Sequence, residues 1–167
     1  MADTKVQAIK RSKFAEFINT TPGSSTPTWA RIGKGVSENE ISYNGNVVTE
    51  TFIHEDNASN SLDSYAPQIA VTQYCYKGDQ VFDFVDSLRK KRAIGSDCET
   101  ELLMVYIYDT EDDTTYAAEK QNVAIQVDTF GGAGGERNSI AYNVLFNGDP
   151  TIGTATITAG TPTFTAD

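Results

Sequence analysis

The last third of the chain carries the pattern that most constrains the fold. Val123, Ile125 and Val127 alternate with polar or small residues. After a glycine-rich stretch, Tyr142 and Val144 continue the same alternation. Period-two alternation is typical of strands that are buried on one face only. The opposite face carries small or polar side chains, none of them basic: Asn122, Gln126, Asp128, Ser139 and Asn143. We therefore expect two long strands with one smooth face toward water.

Composition narrows the class of protein. A chain of 167 residues is expected to form one domain with a real core. Its formal net charge of −10 disfavours stable binding of nucleic acid, which depends on Lys and Arg neutralising phosphates. Cys75 and Cys98 lack the spacing of metal ligands. We expect no metal site, no cofactor and no segment able to span a membrane.

The first half of the chain reads as an arm followed by strands. Residues 1–27 predict an N-terminal arm, in which Phe14 and Phe17 share one side of a short helix with Val6 and Ile9. A first strand is expected over 29–35, and Asn44-Gly45 predicts a hairpin turn. Strands over 47–54 and 66–76 are expected to pair. The polar loop between them is long, a feature often tied to function: Glu55, Asp56, Asn57, Asn60, Leu62 and Asp63.

One helix stands out, over 79–92. Asp79 can cap its N-terminus, Val81, Phe82, Val85 and Leu88 form its apolar stripe, and Gly95 can end it. The strand over 102–108 is apolar on both faces, which predicts cover on both sides. Residues 28–150 are therefore expected to form the main domain and 151–167 an extended C-terminal tail. The predicted class is mainly β (α+β), a two-sheet sandwich or half-barrel with one flanking helix, a long hairpin loop and terminal arms.

No residue pattern predicts catalysis. The single histidine, His54, has no orienting partner in the sequence, although Cys75 would lie near it if the proposed strands pair. The acidic turn at 109–113 lacks the glycine and closing glutamate of a calcium loop. The glycines at 131–135 lack the Lys-Ser/Thr of a phosphate loop and lie between strands. The basic cluster at 89–92 fits a helix C-terminus in water better than a DNA patch.

The order of elements now becomes informative. The predicted order is a hairpin, a long loop, a returning strand, one helix, three strands and a tail. The final strand-rich part of this order spans 140–157. This arrangement, together with the segment 29–35, resembles the tail tube proteins of long-tailed bacteriophages (siphophages). That fold is shared in outline with the inner tubes of contractile tails and of type VI secretion. The resemblance covers most of the chain after residue 27.

The resemblance implies a structural virion protein and not an enzyme. Each subunit would give four strands to a ring-shaped barrel, six subunits would form a ring, and stacked rings would form a tube for DNA ejection. Tape measure protein and DNA would occupy the lumen transiently, and other tail proteins would bind the tube ends. The protein would be made in the host cytoplasm and reside in the virion tail.

The resemblance also suggests roles for named residues. The polar loop over 55–64 would contact the next ring. The side chains that would face the lumen are Asn122, Gln126, Asp128, Ser139 and Asn143. Phe14, Phe17 and Phe164 would make contacts through the two terminal arms. Which face of 47–54 looks inward stays open.

Another class of protein also fits the sequence. A β-sandwich that binds carbohydrate or another protein would display exposed aromatic side chains on one face. Tyr74, Tyr76, Tyr106 and Tyr108 are the candidates for that role.

Overall fold

The computed structural model describes residues 5–167, which contain ten strands and one α-helix. The strands are β1 Phe14–Asn19, β2 Trp29–Arg31, β3 Ile41–Ser42, β4 Asn46–Glu50, β5 Ser59–Ser64, β6 Gln68–Tyr74, β7 Glu99–Thr110, β8 Thr115–Gly131, β9 Ser139–Thr158 and β10 Thr161–Ala166. The helix α1 spans Gln80–Lys91, and short 3-10 turns cover Arg11–Lys13 and Gly95–Cys98. The predicted class, mainly β with one helix, is confirmed.

Eight strands form one antiparallel sheet, and the other two form a separate hairpin. The order in the large sheet is β2-β1-β7-β8-β9-β6-β3, with β10 paired to the second half of β9. β8 and β9 are 17 and 20 residues long and run through the centre. The two-stranded sheet consists of β4 and β5. The two predicted sheets are therefore very unequal in size.

Helix α1 covers one face of the large sheet. Its predicted stripe of Val81, Phe82, Val85 and Leu88 is buried. The stripe packs against the inward side chains of β6, β8 and β9, which include Val71, Val123, Ile125, Tyr142 and Val144. These are the apolar positions of the alternating pattern, so the prediction of strands half-buried on one face is confirmed.

The opposite face is closed only near one end. Phe17 of β1 and Leu103 and Val105 of β7 form a second core there with Ala155 of β9. Phe164 of β10 packs against this core from the sheet margin, and β10 contacts β2 on the other margin. The sheet thus curls into a half-barrel at this end. β7 is buried on both faces, as its apolar sequence predicts.

A buried polar network fixes the start of α1. The Asp79 carboxylate accepts a hydrogen bond from the backbone N–H of Phe82 at 3.1 Å, which caps the helix as predicted. The same oxygen accepts from Gln73 Nε2 at 2.7 Å, and Tyr142 donates to Gln73 Oε1 at 3.2 Å. At the other end the helix stops at Arg92, whose φ of 48° is left-handed, and Gly95 lies beyond in a 3-10 turn. The prediction that Gly95 ends the helix is wrong.

Changing Asp79→Ala is expected to lower the free energy of unfolding by about 1–3 kcal/mol, because both the cap and a partner of buried Gln73 are lost. Urea unfolding followed by circular dichroism measures this. Asp83→Ala is the matched control, since Asp83 is an exposed acid in the first turn of the same helix. Equal losses in the two variants would contradict the role given to the network.

The N-terminal segment departs from its prediction. Phe14–Asn19 is not helical and pairs with both β2 and β7 inside the large sheet. Its side chains are buried on both faces, with Ile18 toward α1 and Phe17 toward the second core. The helical spacing was misleading because Val6 and Ile9 are exposed and belong to no apolar face. The boundary drawn at residue 27 therefore divides a strand pair of the sheet, and residues 1–4 of the predicted arm lie outside the described residues.

The predicted pairing of 47–54 with 66–76 is also wrong. Asn44 has the positive φ that the Asn-Gly pair indicated, 49°, but the strands on either side of it do not pair with each other. β3 joins β6 in the large sheet, whereas β4 pairs with β5. The turn at Asn44 thus directs the chain out of the large sheet into a separate hairpin. The predicted polar loop is shorter than expected because β5 occupies most of it.

The C-terminal residues form a hairpin and not a free tail. β9 continues to Thr158, and β10 returns along it after a turn in which Ala159 and Gly160 both have positive φ. A Cβ at Gly153 would lie 2.2 Å from the Thr165 carbonyl oxygen, so β10 packs closely on this part of β9.

The strand predicted over 29–35 is shorter in the structure. It ends at Arg31 and is followed by a turn.

Candidate functional site

The face of the sheet opposite α1 is uncovered around β6 and the adjoining halves of β8 and β9, and we call this surface the polar wall. Directly paired residues in antiparallel strands share a face. Gln126, Asn143 and Ala70 form one such row, and Asn143 Nδ2 donates to Gln126 Oε1 at 3.4 Å. The full wall comprises Gln68, Ala70, Thr72 and Tyr74 of β6, Ser139, Ala141, Asn143 and Leu145 of β9, and Asn122, Ala124, Gln126 and Thr129 of β8.

Four of the five predicted lumen-facing residues lie on this wall: Asn122, Gln126, Ser139 and Asn143. Asp128 is the exception. It is the extra residue of a bulge, because Val127 pairs with Tyr142 while Thr129 pairs with the next residue, Ala141. The sequence pattern treats Asp128 as one more step of a regular alternation, and a bulge breaks that rule.

The polar wall has a weakly acidic border and no basic residue of its own. Glu99 and Glu101 of β7 lie opposite Ala124 and Asn122 and extend the same face. Lys120 Nζ lies 3.3 Å from Glu101 Oε1 and partly neutralises it. The wall therefore offers small hydrogen-bonding groups, with Glu99 at its border and the Arg137 guanidinium over the Tyr74 ring, and it lacks the cluster of Lys and Arg that holds phosphates.

The second notable feature is a hairpin of residues 46–64, which we call the projecting hairpin. In the described residues its strands β4 and β5 pair only with each other, and every residue of both is exposed. Its base is closed where Ala66 N–H donates to the Tyr43 carbonyl at 3.1 Å. Several large apolar side chains are left exposed along it: Val47, Val48, Phe52, Ile53 and Leu62. So much unpartnered apolar surface on one element marks an interaction site.

All the predicted loop residues belong to this hairpin. Asn60, Leu62 and Asp63 lie on β5, and Glu55, Asp56 and Asn57 lie in the connection between the strands. The hairpin is internally ordered, since Thr49 Oγ1 donates to Asn60 Oδ1 at 2.7 Å and Ser59 Oγ donates to Glu55 Oε2 at 3.0 Å. Such a prearranged element loses less entropy on binding than a floppy loop would.

The strand pairing shows which residues of β4 and β5 share a face. Val47 and Thr49 share a face with Leu62 and Asn60 of β5, and Val48 shares the other with Ser61. Neither face belongs to the large sheet, so β4 contributes nothing to the polar wall.

The three phenylalanines predicted as arm contacts have partners within the chain. Phe17 is only 1% exposed, in the second core. Phe14 stacks on Tyr106 with ring centroids 5.4 Å apart, and Phe164 packs against the second core. The prediction is wrong for Phe17, because a side chain already enclosed by its own sheet has no surface left for a neighbouring molecule.

The structure does not bring His54 and Cys75 together by strand pairing. His54 is exposed at the end of the projecting hairpin, 3.7 Å from Glu55 Oε1, while Cys75 follows β6 at the rim of the helix-side core. Burial and, to a lesser degree, the charge of Asp86 raise the pKa of the Cys75 thiol. A raised pKa is the opposite of what an activated thiolate needs.

The acidic turn is organised by its own backbone. Asp112 Oδ1 accepts from the N–H groups of Thr114 at 3.0 Å and Thr115 at 2.7 Å. Within residues 5–167 there is no group of three or more His, Cys, Asp or Glu side chains placed to hold a metal ion. In the same range, no helix is long and apolar enough to cross a membrane.

The backbone N–H groups of Thr114 and Thr115 lower the pKa of Asp112 to about 2. We therefore expect this carboxylate to stay ionised as the pH falls through the ordinary range for Asp, and to protonate only near pH 2. An NMR titration of the Asp112 side-chain carboxyl carbon tests this. A midpoint at the ordinary Asp value of 3.8 would contradict the hydrogen bonding described.

The four tyrosines of the alternative interpretation do not form one platform. Tyr74 is the last residue of β6 and lies opposite Ser139, the first residue of β9. The Arg137 side chain packs over the Tyr74 ring. Tyr106 and Tyr108 lie on β7, which is separated from β6 by β8 and β9. Tyr76 contacts Lys34 and the Arg137 side chain. Two scattered groups do not provide the single aromatic surface that this interpretation requires.

Comparison with known proteins identifies solved structures with a similar fold. No protein-family model and no curated protein matches the chain. Among solved structures, it is similar to a chain from the tail of an empty GTA particle determined with C6 symmetry, with 13% identity, a TM-score of 0.62 and coverage of 87% of this chain and 98% of that one. It is also similar to the tube-terminating cap of the anti-feeding prophage, with 14% identity, a TM-score of 0.53 and coverage of 93% and 100%. The chain therefore has a fold found in components of phage-like tails.

Proposed function

We propose that this chain is a structural subunit of a phage-like tail, which assembles with copies of itself into stacked rings that form a tube. The observation that carries the proposal is the similarity over nearly the whole of both chains to a component of a six-fold symmetric tail. More specifically, the protein is the major tail tube protein of a siphophage. Its rings are hexameric, and the tube conducts DNA during ejection.

The polar wall supplies the surface that such a tube needs inside. Small side chains such as Ser139, Asn143 and Gln126 leave a smooth lining, and Glu99 at its border repels phosphates. DNA would pass without being held, because affinity for its backbone comes from Lys and Arg. The tape measure protein would occupy the same bore before DNA does.

The sheet margins supply a reason to assemble. β2 is three residues long, and β3 pairs only with Ile69 and Gln68 of β6. In the described residues the outer margin of β6 pairs with no strand from Ala70 to Gln73, and at its end the Tyr74 N–H donates to the Gly35 carbonyl at 3.1 Å. Open margins tend to pair with other chains, and a closed ring removes them. The projecting hairpin, whose strands are exposed throughout, suits contact between rings.

The remaining parts of the proposal follow from this role. The protein acts structurally and not as an enzyme. Other tail proteins bind the tube ends, and synthesis in the host cytoplasm precedes incorporation into the virion tail.

Electron microscopy of the purified protein tests the proposal. Negative-stain images over a range of protein concentrations, with sedimentation velocity on the same samples, are expected to show rings or tubes with an open bore. A species that stays monomeric at every concentration, including in the presence of preformed tail ends, would overturn it.

A further inference from the structure

We propose that the tip of the projecting hairpin inserts into a concavity at the C-terminal end of α1 on the next copy of the chain. This inference rests on the proposed function, since it names the partner surface of the hairpin in a stack of rings.

The concavity lies between the end of α1 and the β8–β9 turn, and it encloses about 550 Å³. Its lining is mixed, with Gln126 and Thr129 of β8 beside the apolar Val127. Ile94 and Phe130 supply exposed apolar surface, Ile94 being 80% exposed. A hollow with such large exposed apolar side chains can receive a protruding apolar knob.

Basic side chains lie on the helix side of this hollow. Arg89 and Arg92 line it, and Lys91 precedes Arg92 in the chain. Arg89 lies over the Phe130 ring at 3.8 Å and is held by Asp86 at 2.7 Å. Lys91 and Arg92 are exposed and form no ion pair within residues 5–167. Asp128 is the one acidic residue in the lining. The three cations lie in the last turn or at the C-cap of α1, where their charge is favoured.

The tip of the projecting hairpin has the complementary character. Phe52 and Ile53 form an exposed apolar knob, with Phe52 50% exposed. Glu50, Glu55 and Asp56 lie within three residues of this pair along the chain, the Phe52 ring stacks on His54, and the tip contains no Lys or Arg. Opposite charges around matching apolar surfaces set the register of a contact and exclude wrong partners.

The two surfaces are different parts of the chain. The projecting hairpin rejoins the sheet at Gln68, whereas the concavity follows β8 from Ile125, in register with Ile69, to Phe130, in register with Gln73. A contact between two different surfaces is heterologous, so each copy can receive one hairpin and donate another. Repetition of that contact builds a stack.

A disulfide trap tests the contact, because Cys98 lines the concavity. In the variant Ile53→Cys, an added oxidant is expected to join residue 53 of one copy to Cys98 of the next in assembled particles. Non-reducing electrophoresis should then show a ladder of multimers, and mass spectrometry should identify the 53–98 linked peptide. Ile53→Cys combined with Cys98→Ser is the matched control and should lose the ladder, retaining at most dimers joined through residue 53.

Charge reversal provides an independent readout. Lys91→Glu with Arg92→Glu is expected to raise the protein concentration needed for assembly roughly tenfold or more, because like charges then meet across the contact. Glu50→Lys with Asp56→Lys should do the same, and the combined variant should recover most of the loss.

The outcomes separate the two proposals. Tubes that form without a 53–98 linkage, or a combined variant that shows no recovery, would overturn this contact and leave the tube proposal standing. A linkage of residue 53 to Cys75 instead of Cys98 would also overturn it. Unchanged protein that never assembles would overturn the tube proposal and this contact together.

Discussion

Replacement of residues 46–64 by a short glycine–serine link is expected to abolish tube formation and leave the monomer folded, with its thermal midpoint changed by no more than a few degrees. The physical reason is the isolation of the projecting hairpin: β4 and β5 pair only with each other, and all their residues are exposed. The hydrogen bond between Ala66 and Tyr43 holds the two ends of the cut close together. Differential scanning calorimetry and electron microscopy of the same sample measure both effects.

A milder variant serves as the control for the deletion. Val47→Ser with Leu62→Ser keeps the hairpin but removes a directly opposed apolar pair from one of its faces. It should assemble less readily than the unchanged protein and more readily than the deletion. Normal tubes from the deletion variant would remove the hairpin from the assembly mechanism, and an unfolded deletion variant would show that the hairpin belongs to the core.

Phe17→Ala is expected to lower the free energy of unfolding by about 3–5 kcal/mol, because it opens a cavity in a closed core. Phe17 lies between Leu103, Val105 and Ala155 in the second core. Denaturant unfolding of the monomer, monitored by fluorescence of the single tryptophan at position 29, measures the loss.

Phe52→Ala provides the matched comparison for this variant. It is the same chemical change at a half-exposed position on the projecting hairpin. We expect it to leave the stability of the monomer nearly unchanged and to weaken assembly. If Phe17→Ala left the monomer as stable as Phe52→Ala does, residue 17 would belong to a mobile arm after all.

The sequence predicted best where one local pattern is undisturbed. The alternation around Val123 and Val144 predicts the buried and the polar faces of β8 and β9 from the sequence alone. The stripe and the cap at Asp79 located α1 to within a residue or two, because helix signals are local. The polar residues of the wall were also found this way, since alternation sorts side chains by face.

The errors arise where distant segments compete for the same pairing. Asn44-Gly45 correctly indicated a positive φ, yet the choice of strand partners depended on β6, β5 and β9, which lie far along the chain. Phe14–Asn19 was missed because burial on both faces erases the alternation that marks a strand. The bulge at Asp128 carries no local signal, so its side chain was assigned to a face by a rule that does not apply there.

The concavity beside α1 was not predicted at all. Its lining combines Leu88, Ile94 and Phe130, which come from three separate segments. The basic cluster was seen in the sequence as a helix end in water, and only the fold shows an apolar hollow next to it. The acidic residues of the tip were identified as a loop, but their register beside Phe52 and Ile53 required the hairpin to be in place.

A cryo-EM reconstruction of the assembled particle at side-chain resolution tests which surface encloses the channel. We predict a continuous water-filled bore lined by Asn122, Gln126, Ser139 and Asn143, with α1 on the outside of the ring. A particle in which these four side chains face the exterior, or in which α1 lines the bore, would contradict the assignment of the polar wall to the lumen.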